Sequence, residues 1–115
     1  MGATALVVED DPATRRLLGS VLHTSGLETV LLGSAEDALE RLPDDRPDII
    51  ICDLNLPGMN GEAFIEIIRS GELAETPVIL MSAYGEPDHH SADIYLGKPF
   101  EPIELAQLVE RLSNS

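Results

Sequence analysis

The run Asp48–Cys52 constrains the fold of this chain more than any other segment. Its last four residues, IIIC, are all apolar, which predicts a strand that is buried on both faces. Such strands are typical of parallel sheets, whose two faces are covered by helices. Parallel strands also need a long crossover connection, which is usually a helix. We therefore expect strands and helices to alternate along the rest of the chain.

Strand-like and helical segments do alternate. Short apolar runs predict four further strands, and apolar stripes at helical spacing predict helices between them. Helix starts are indicated at Asp11-Pro12, Ser34 and Glu101-Pro102. The predicted strands are Ala3–Val8, Leu27–Leu32, Asp48–Cys52, Pro77–Met81 and Asp93–Leu96, and the predicted helices run from Asp11 to Gly26, from Ser34 to about Leu42, over Gly61–Ser70 and onward from Glu101. With a turn at Pro43–Pro47 and no linker, residues 1–115 are expected to form one α/β domain.

The connection between the fourth and fifth strands is short. Ten residues separate Ser82 from Asp93, and they include Gly85, Pro87 and the pair His89-His90. A parallel crossover needs about ten to twelve residues at the least. We expect a turn or two of helix here at most, or only a loop, with both histidines exposed to solvent.

The charge balance disfavours two classes of partner. The chain has 7 basic and 21 acidic residues, for a net charge of −14. Nucleic acids and anionic membranes are bound by clustered Lys and Arg, so we expect neither as a direct partner. The 43% hydrophobic content excludes a disordered acidic tail. A single cysteine, Cys52, cannot form an internal disulfide, which favours a reducing compartment and a cytoplasmic location.

Polar side chains follow four of the five predicted strands. Glu9, Asp10 and Asp11 follow the first, Asp53 the third, Ser82 the fourth and Lys98 the fifth. Ligands of open parallel sheets bind outside the carboxyl ends of the strands. We therefore expect these side chains to meet at one edge, except for Asp11, which is better explained as a helix N-cap.

This set of side chains has a coherent chemistry. Clustered carboxylates repel one another unless one is protonated or they share a cation, and their oxygens suit Mg²⁺. A lysine can contact a phosphoryl oxygen, and a carboxylate can act as the nucleophile that forms an aspartyl-phosphate. The residues predict Mg²⁺-dependent phosphoryl transfer onto an aspartate.

Four segments resemble those of response regulator receiver domains in two-component signal transduction. They are LVVEDDPATRRLL, DIIICDLNLPGMNG, VILMSA and YLGKPF, in the family's order and at nearly its spacing. The resemblance implies a flavodoxin-like, doubly wound sheet of five parallel strands in the order 2-1-3-4-5, with helices on both faces. The main departure from the family is the short fourth crossover, so the fourth helix is expected to be short or absent.

The resemblance implies the roles of the reacting residues. Asp53 would be the phosphoacceptor, and Lys98 would contact the phosphoryl group. Glu9 and Asp10 would serve Mg²⁺ (or Mn²⁺) together with Asp53, with Asp10 as the more direct ligand. Asn55 would offer its backbone carbonyl to the metal.

The resemblance also implies a switch. Ser82 would be the switch hydroxyl, with the small Ala83 beside it. Tyr95 would be the aromatic residue that turns inward when Ser82 engages the phosphate. Asn55 and Tyr84 match positions that tune the lifetime of the phosphate. Pro99 would follow a cis peptide bond.

The expected function is a phosphorylation-controlled signalling module. A histidine kinase or histidine phosphotransfer protein would donate the phosphoryl group, and the added charge would shift a two-state element that regulates a protein partner. Such a domain catalyses only its own phosphorylation and dephosphorylation. We expect a monomer or weak dimer. We further expect the segment Tyr84–Ala92 to be mobile without phosphate and to order on phosphorylation.

Three alternatives stay open at the level of sequence. A Mg²⁺-dependent phosphatase with an aspartate nucleophile shares the acids, the hydroxyl and the lysine, but usually needs a second acid where this chain has Asn55. A flavin-binding protein is disfavoured because Glu9, Asp10 and Asp11 would repel a phosphate. A degenerate receiver that only docks partners is disfavoured by the complete site.

Overall fold

The computed structural model describes residues 3–42 and 46–113, without the side chain of Ser113. Five parallel strands form one sheet in the order β2-β1-β3-β4-β5, as expected. The elements are β1 Thr4–Val8, α1 Pro12–Thr24, β2 Glu28–Leu32, α2 Ala35–Arg41, β3 Ile49–Asp53, α3 Gly61–Arg69, β4 Val78–Ser82, β5 Ile94–Gly97 and α4 Pro102–Ser113. In this described part, none of the helices is long and apolar enough to span a bilayer. The predicted turn Pro43–Pro47 lies partly outside the described residues.

The central strand β3 divides the core into two layers. Its side chains alternate between the faces of the sheet. Ile49 and Ile51 pack with buried residues of α1 and α4, whereas Ile50 and Cys52 pack with buried residues of α2 and α3. All five residues of β3 are buried. The sheet is therefore covered on both faces, which confirms the doubly wound architecture.

Local capping explains where three helices begin. The side chains of Asp11, Ser34 and Asn60 each accept a hydrogen bond from the backbone N–H three residues later. Such caps satisfy amide donors that the first turn leaves unpaired. These starts place α1 directly after the strand-end acids of β1, and α3 after the loop that follows Asp53.

The crossover between β4 and β5 contains no helix. Residues 83–93 form a loop, so the family's fourth helix, which we expect to be short or absent, is absent here. Gly85 has a φ of +98° in this loop, a conformation that glycine adopts most easily. The prediction for the two histidines was half wrong: His89 is exposed, but the His90 side chain is only 12% exposed. The ring lies against its own loop, where Oε2 of Glu86 is 2.7 Å from Nε2 of His90.

Candidate functional site

The carboxyl ends of the strands bring the predicted site residues together. Glu9 is 1% exposed, Asp53 4% and Ser82 1%, and these are the buried polar residues of the described chain. Asp10, next to Glu9, is exposed. Because all strands run parallel, residues that are far apart in sequence reach the same edge of the sheet.

Three carboxylates form a cluster at this edge. One oxygen each of Glu9, Asp10 and Asp53 lies within 4.8 Å of the other two. Two of these acids are buried and the third faces solvent, so a cation would have access from one side. Hard oxygen ligands with room for water are the donor set that Mg²⁺ prefers, and the residues present therefore fit this metal.

Lys98 lies between two of the carboxylates. Its Nζ is 2.6 Å from Oε1 of Glu9 and 3.2 Å from Oδ1 of Asp53. The peptide bond between Lys98 and Pro99 is cis, as expected. The backbone N–H of Lys98 donates to the carbonyl of Ser82 at 2.9 Å, which holds β5 beside β4 at the site.

Burial and charge shift two pKa values in this group. Burial raises the pKa of Glu9, although hydrogen bonds from the Lys98 ammonium and the Asp11 N–H oppose that shift. Burial alone would lower the pKa of Lys98. The hydrogen bond to Glu9 and the charge of Asp53 outweigh burial, so the pKa of Lys98 is raised. The ammonium is thus held in its charged form beside Asp53.

The hydroxyl of Ser82 is engaged by two neighbours. It donates to Oδ1 of Asn55 at 3.0 Å and accepts from the N–H of Tyr84 at 3.0 Å. The Tyr95 hydroxyl donates to the backbone carbonyl of Ser82 at 3.0 Å. Tyr95 is half-buried, whereas Ala83 and Tyr84 are exposed, Tyr84 by 84%. The predicted switch residues are therefore in mutual contact.

Sequence reasoning missed one residue that shapes the site. Nη1 of Arg15, on α1, donates to the backbone carbonyl of Glu9 at 2.8 Å. This contact fixes the strand end that carries the acids. The sequence around Arg15 does not predict this hydrogen bond, because the partner is a backbone atom that every residue has. Cys52, beside Asp53, is fully buried, and burial raises the pKa of its thiol, so the thiol stays protonated and unreactive.

Fold and site together define an α/β domain of the receiver type. The sequence matches the family described as response regulator receiver domain over residues 5–110. The chain therefore belongs to this family, whose members act in two-component signalling, and the phosphatase alternative is not favoured.

Individual relatives agree with this assignment. The chain is 41% identical over 117 residues to the response regulator protein FleR of Pseudomonas aeruginosa, covering 96% of this chain and 24% of FleR. It is 34% identical over 110 residues to the DNA-binding response regulator MtrA of Mycolicibacterium smegmatis, covering 90% of this chain and 47% of MtrA. The crystal structure of chemotaxis protein CheY4 of Vibrio cholerae matches with a TM-score of 0.90 at 27% identity, covering 97% of this chain and 99% of CheY4. The chain thus spans about a quarter of the length of FleR and about half of that of MtrA.

Proposed function

We propose that Asp53 accepts a phosphoryl group from a phosphohistidine in a Mg²⁺-dependent reaction. The observation that carries the proposal is the buried Asp53 carboxylate, with the Lys98 ammonium 3.2 Å from its Oδ1 and two further acids within reach of one cation. An Asp53 oxygen forms the new bond to phosphorus while the bond from phosphorus to the donor's imidazole nitrogen breaks. The electron pair of that bond stays on the nitrogen.

The residues around Asp53 have distinct roles in this proposal. Lys98 neutralises charge on a phosphoryl oxygen. Asp10, Glu9, Asp53 and the backbone carbonyl of Asn55 would hold the metal. A bound Mg²⁺ supplies further neutralisation of phosphoryl charge. Such transfer depends on positioning and electrostatics more than on proton chemistry.

Phosphorylation would then reset the Ser82 hydroxyl. A hydroxyl has one proton to donate, and Ser82 gives it to Asn55 in this structure. A phosphoryl oxygen on Asp53 is a stronger, charged acceptor. We propose that Ser82 turns to it past the small Ala83, that Tyr95 follows, and that Asn55 and Tyr84 tune the lifetime of the phosphate.

The family and the charge support a wider proposal about the phosphoryl donor, the partner and the location. The donor is a histidine kinase or a histidine phosphotransfer protein, and residues 1–115 act as one cytoplasmic domain that turns over no separate substrate. With 7 basic residues against 21 acidic ones, this domain regulates a protein partner and contacts neither nucleic acid nor membrane. It acts as a monomer or weak dimer.

Incubation with Mg²⁺ and acetyl phosphate, read by intact mass, tests the proposal. We expect an adduct of one phosphate that Asp53→Asn and Asp53→Ala abolish. The control Asp37→Asn, at an exposed acid of α2, should keep it. Stable modification at another residue, or no adduct, would contradict the phosphoacceptor role. Phosphate release far beyond one equivalent, faster than the adduct decays, would favour a phosphatase instead.

A further inference from the structure

The end of the helix-free crossover is held by one arginine. Arg69, the last residue of α3, has a side chain that is 20% exposed. Its Nε donates to the Ser91 carbonyl at 2.8 Å, and Nη1 donates to the carbonyls of Ala74 at 2.9 Å and Thr76 at 2.7 Å. Nη2 is paired with Oδ2 of Asp93 at 2.8 Å. One guanidinium therefore joins α3, the loop before β4 and the start of β5.

The neighbours of Arg69 strengthen this attachment. Oδ2 of Asp93 also accepts from the N–H of Val78 at 2.8 Å, and the N–H of Asp93 donates to the Val78 carbonyl at 2.9 Å. The hydroxyl of Ser91 donates to Oε2 of Glu66, on α3, at 2.6 Å. The His90 side chain is largely buried. We call residues His90–Asp93 the anchored half of the crossover.

The preceding residues, Ala83–His89, form a free half. Their hydrogen bonds with other described residues are few: the Tyr84 N–H donates to the Ser82 hydroxyl, and the Glu86 carboxylate lies within hydrogen-bond distance of His90 in the anchored half. Open space surrounds the α-carbon of Gly85 on the side where a Cβ would lie. The free half is thus attached to the switch hydroxyl at one end and to the anchored half at the other.

We propose that Arg69 replaces the missing helix as the fixed end of the crossover, so that a change at Ser82 is transmitted through the free half and stops where the anchored half begins, at His90. The phosphorylation-dependent part rests on the function proposed above. When the Ser82 side chain rotates from Asn55 toward a phosphoryl group on Asp53, its oxygen moves away from the N–H of Tyr84, which loses its present acceptor. The free half then rearranges, whereas the contacts of Arg69 hold the anchored half in place. The segment Tyr84–Ala92 is consequently not mobile as a whole, and the exposed Tyr84 lies in the part that responds.

Arginine is needed for this role because its donors point in fixed, different directions. The planar guanidinium reaches carbonyls and a carboxylate at once, whereas a lysine ammonium places three donors on one nitrogen. Two variants, Arg69→Gln and Arg69→Lys, should therefore both release the anchored half. Arg46→Gln is a matched control, since Arg46 forms an exposed ion pair with Glu72 away from the crossover.

Backbone ¹⁵N relaxation of the whole chain tests the proposal. In the unphosphorylated protein, order parameters should be below about 0.6 in the free half and near 0.85 in the anchored half. Both Arg69 variants should lower the anchored half to the values of the free half, and Arg46→Gln should not. With Mg²⁺ and beryllium trifluoride, a phosphoryl mimic, amide shifts outside the site should concentrate in residues 83–89 of the wild type and extend to residues 90–93 in the Arg69 variants.

Two results would overturn the proposal. One is an anchored half that is as mobile as the free half in the wild type, a measurement that needs no variant to fold. The other is an Arg69→Gln or Arg69→Lys variant, folded by circular dichroism, whose anchored half stays rigid. Absence of the Asp53 adduct in the mass experiment would instead contradict the phosphoacceptor role. The relaxation comparison of the unphosphorylated proteins would still test the role of Arg69.

Discussion

Glu9, Asp53 and Ser82 are buried polar residues, and each owes its place in the interior to a specific partner. A buried polar group is costly unless it is hydrogen-bonded, and a buried charge unless it is paired. Lys98 contacts both carboxylates, and Asn55 and the Tyr84 N–H satisfy the Ser82 hydroxyl. The single lysine of the chain therefore stabilises the two buried acids. Under the proposed function it also contacts the phosphoryl group, so its removal would disturb folding and chemistry together.

Gly61 tests how tightly the backbone around Asp53 is packed. A Cβ on Gly61 would clash with the backbone carbonyl of Asp53 and lie 2.9 Å from Cα of Leu54. Backbone cannot move aside as a flexible side chain can. We expect Gly61→Ala to lower the free energy of unfolding by about 1–3 kcal/mol, the usual cost of overpacking, and to slow phosphorylation of Asp53.

Urea denaturation and the mass experiment measure both effects. Gly71→Ala is the matched control, because the nearest atom to its added Cβ, the Ile67 carbonyl oxygen, is at 3.7 Å. That variant should stay within about 0.5 kcal/mol of the wild type. Equal stability of the two variants would show that the Asp53 backbone can yield.

At the scale of elements, the sequence predicts what depends on local pattern. Apolar runs such as Ile49–Cys52 and Pro77–Met81 predict buried strands. The residues that follow them predict the site, because the carboxyl ends of parallel strands lie at the same edge of the sheet. The burial of the His90 side chain was not predictable, since it depends on the conformation of a loop that has no periodic pattern. The Arg69 contacts join residues 22 and 24 positions apart, and no periodic pattern encodes such pairs.

Helix α2 is attached to the loop after Asp53 by one carboxylate. Oε2 of Glu36 accepts the N–H of Met59 at 2.9 Å. This hydrogen bond, with one from its own backbone N–H, lowers the pKa of Glu36. A group whose pKa is lower in the folded state than in the unfolded state stabilises the fold at pH values above the unfolded-state pKa. This stabilisation is lost as the pH falls through the folded-state pKa.

We therefore expect Glu36→Gln to be less stable than the wild type at about pH 7, because a neutral amide oxygen is a weaker acceptor than a carboxylate. The difference should shrink as the pH falls below the ordinary value of 4.5. Urea unfolding at a series of pH values measures this. Hydrogen exchange of the Met59 amide should be faster in Glu36→Gln but not in Glu40→Gln, an exposed acid of the same helix. A difference that is independent of pH would contradict the carboxylate contact.

At the scale of the whole molecule, the site accounts for little of the charge. Setting aside Glu9, Asp10 and Asp53 leaves 18 acidic residues against 7 basic ones, so most repulsion is spread over the surface. Such repulsion opposes the compact state, and monovalent salt screens it with a Debye length of about 8 Å at about 0.15 M. Sodium chloride should raise the melting temperature of the wild type and of site variants alike, which separates general screening from a specific cation site.

Magnesium should act on top of this screening and through the carboxylate cluster. At about 0.15 M sodium chloride, added Mg²⁺ should raise the melting temperature of the wild type. When Mg²⁺ is at a hundred times its dissociation constant, the free energy of unfolding should rise by about 2.7 kcal/mol. Three carboxylates within 4.8 Å repel one another when no cation is present. Asp10→Asn should consequently be more stable than the wild type in EDTA and gain much less from Mg²⁺.

The order of the two melting temperatures should therefore reverse when Mg²⁺ is added. Asp37→Asn, which removes an equal charge from exposed α2, should follow the wild type in its response to Mg²⁺. Parallel curves for wild type and Asp10→Asn, matched by sodium chloride at the same ionic strength, would mean that Mg²⁺ only screens the surface. A reversal confined to Asp10→Asn would instead place the cation among the strand-end acids, since screening depends on total charge and not on which acid is removed.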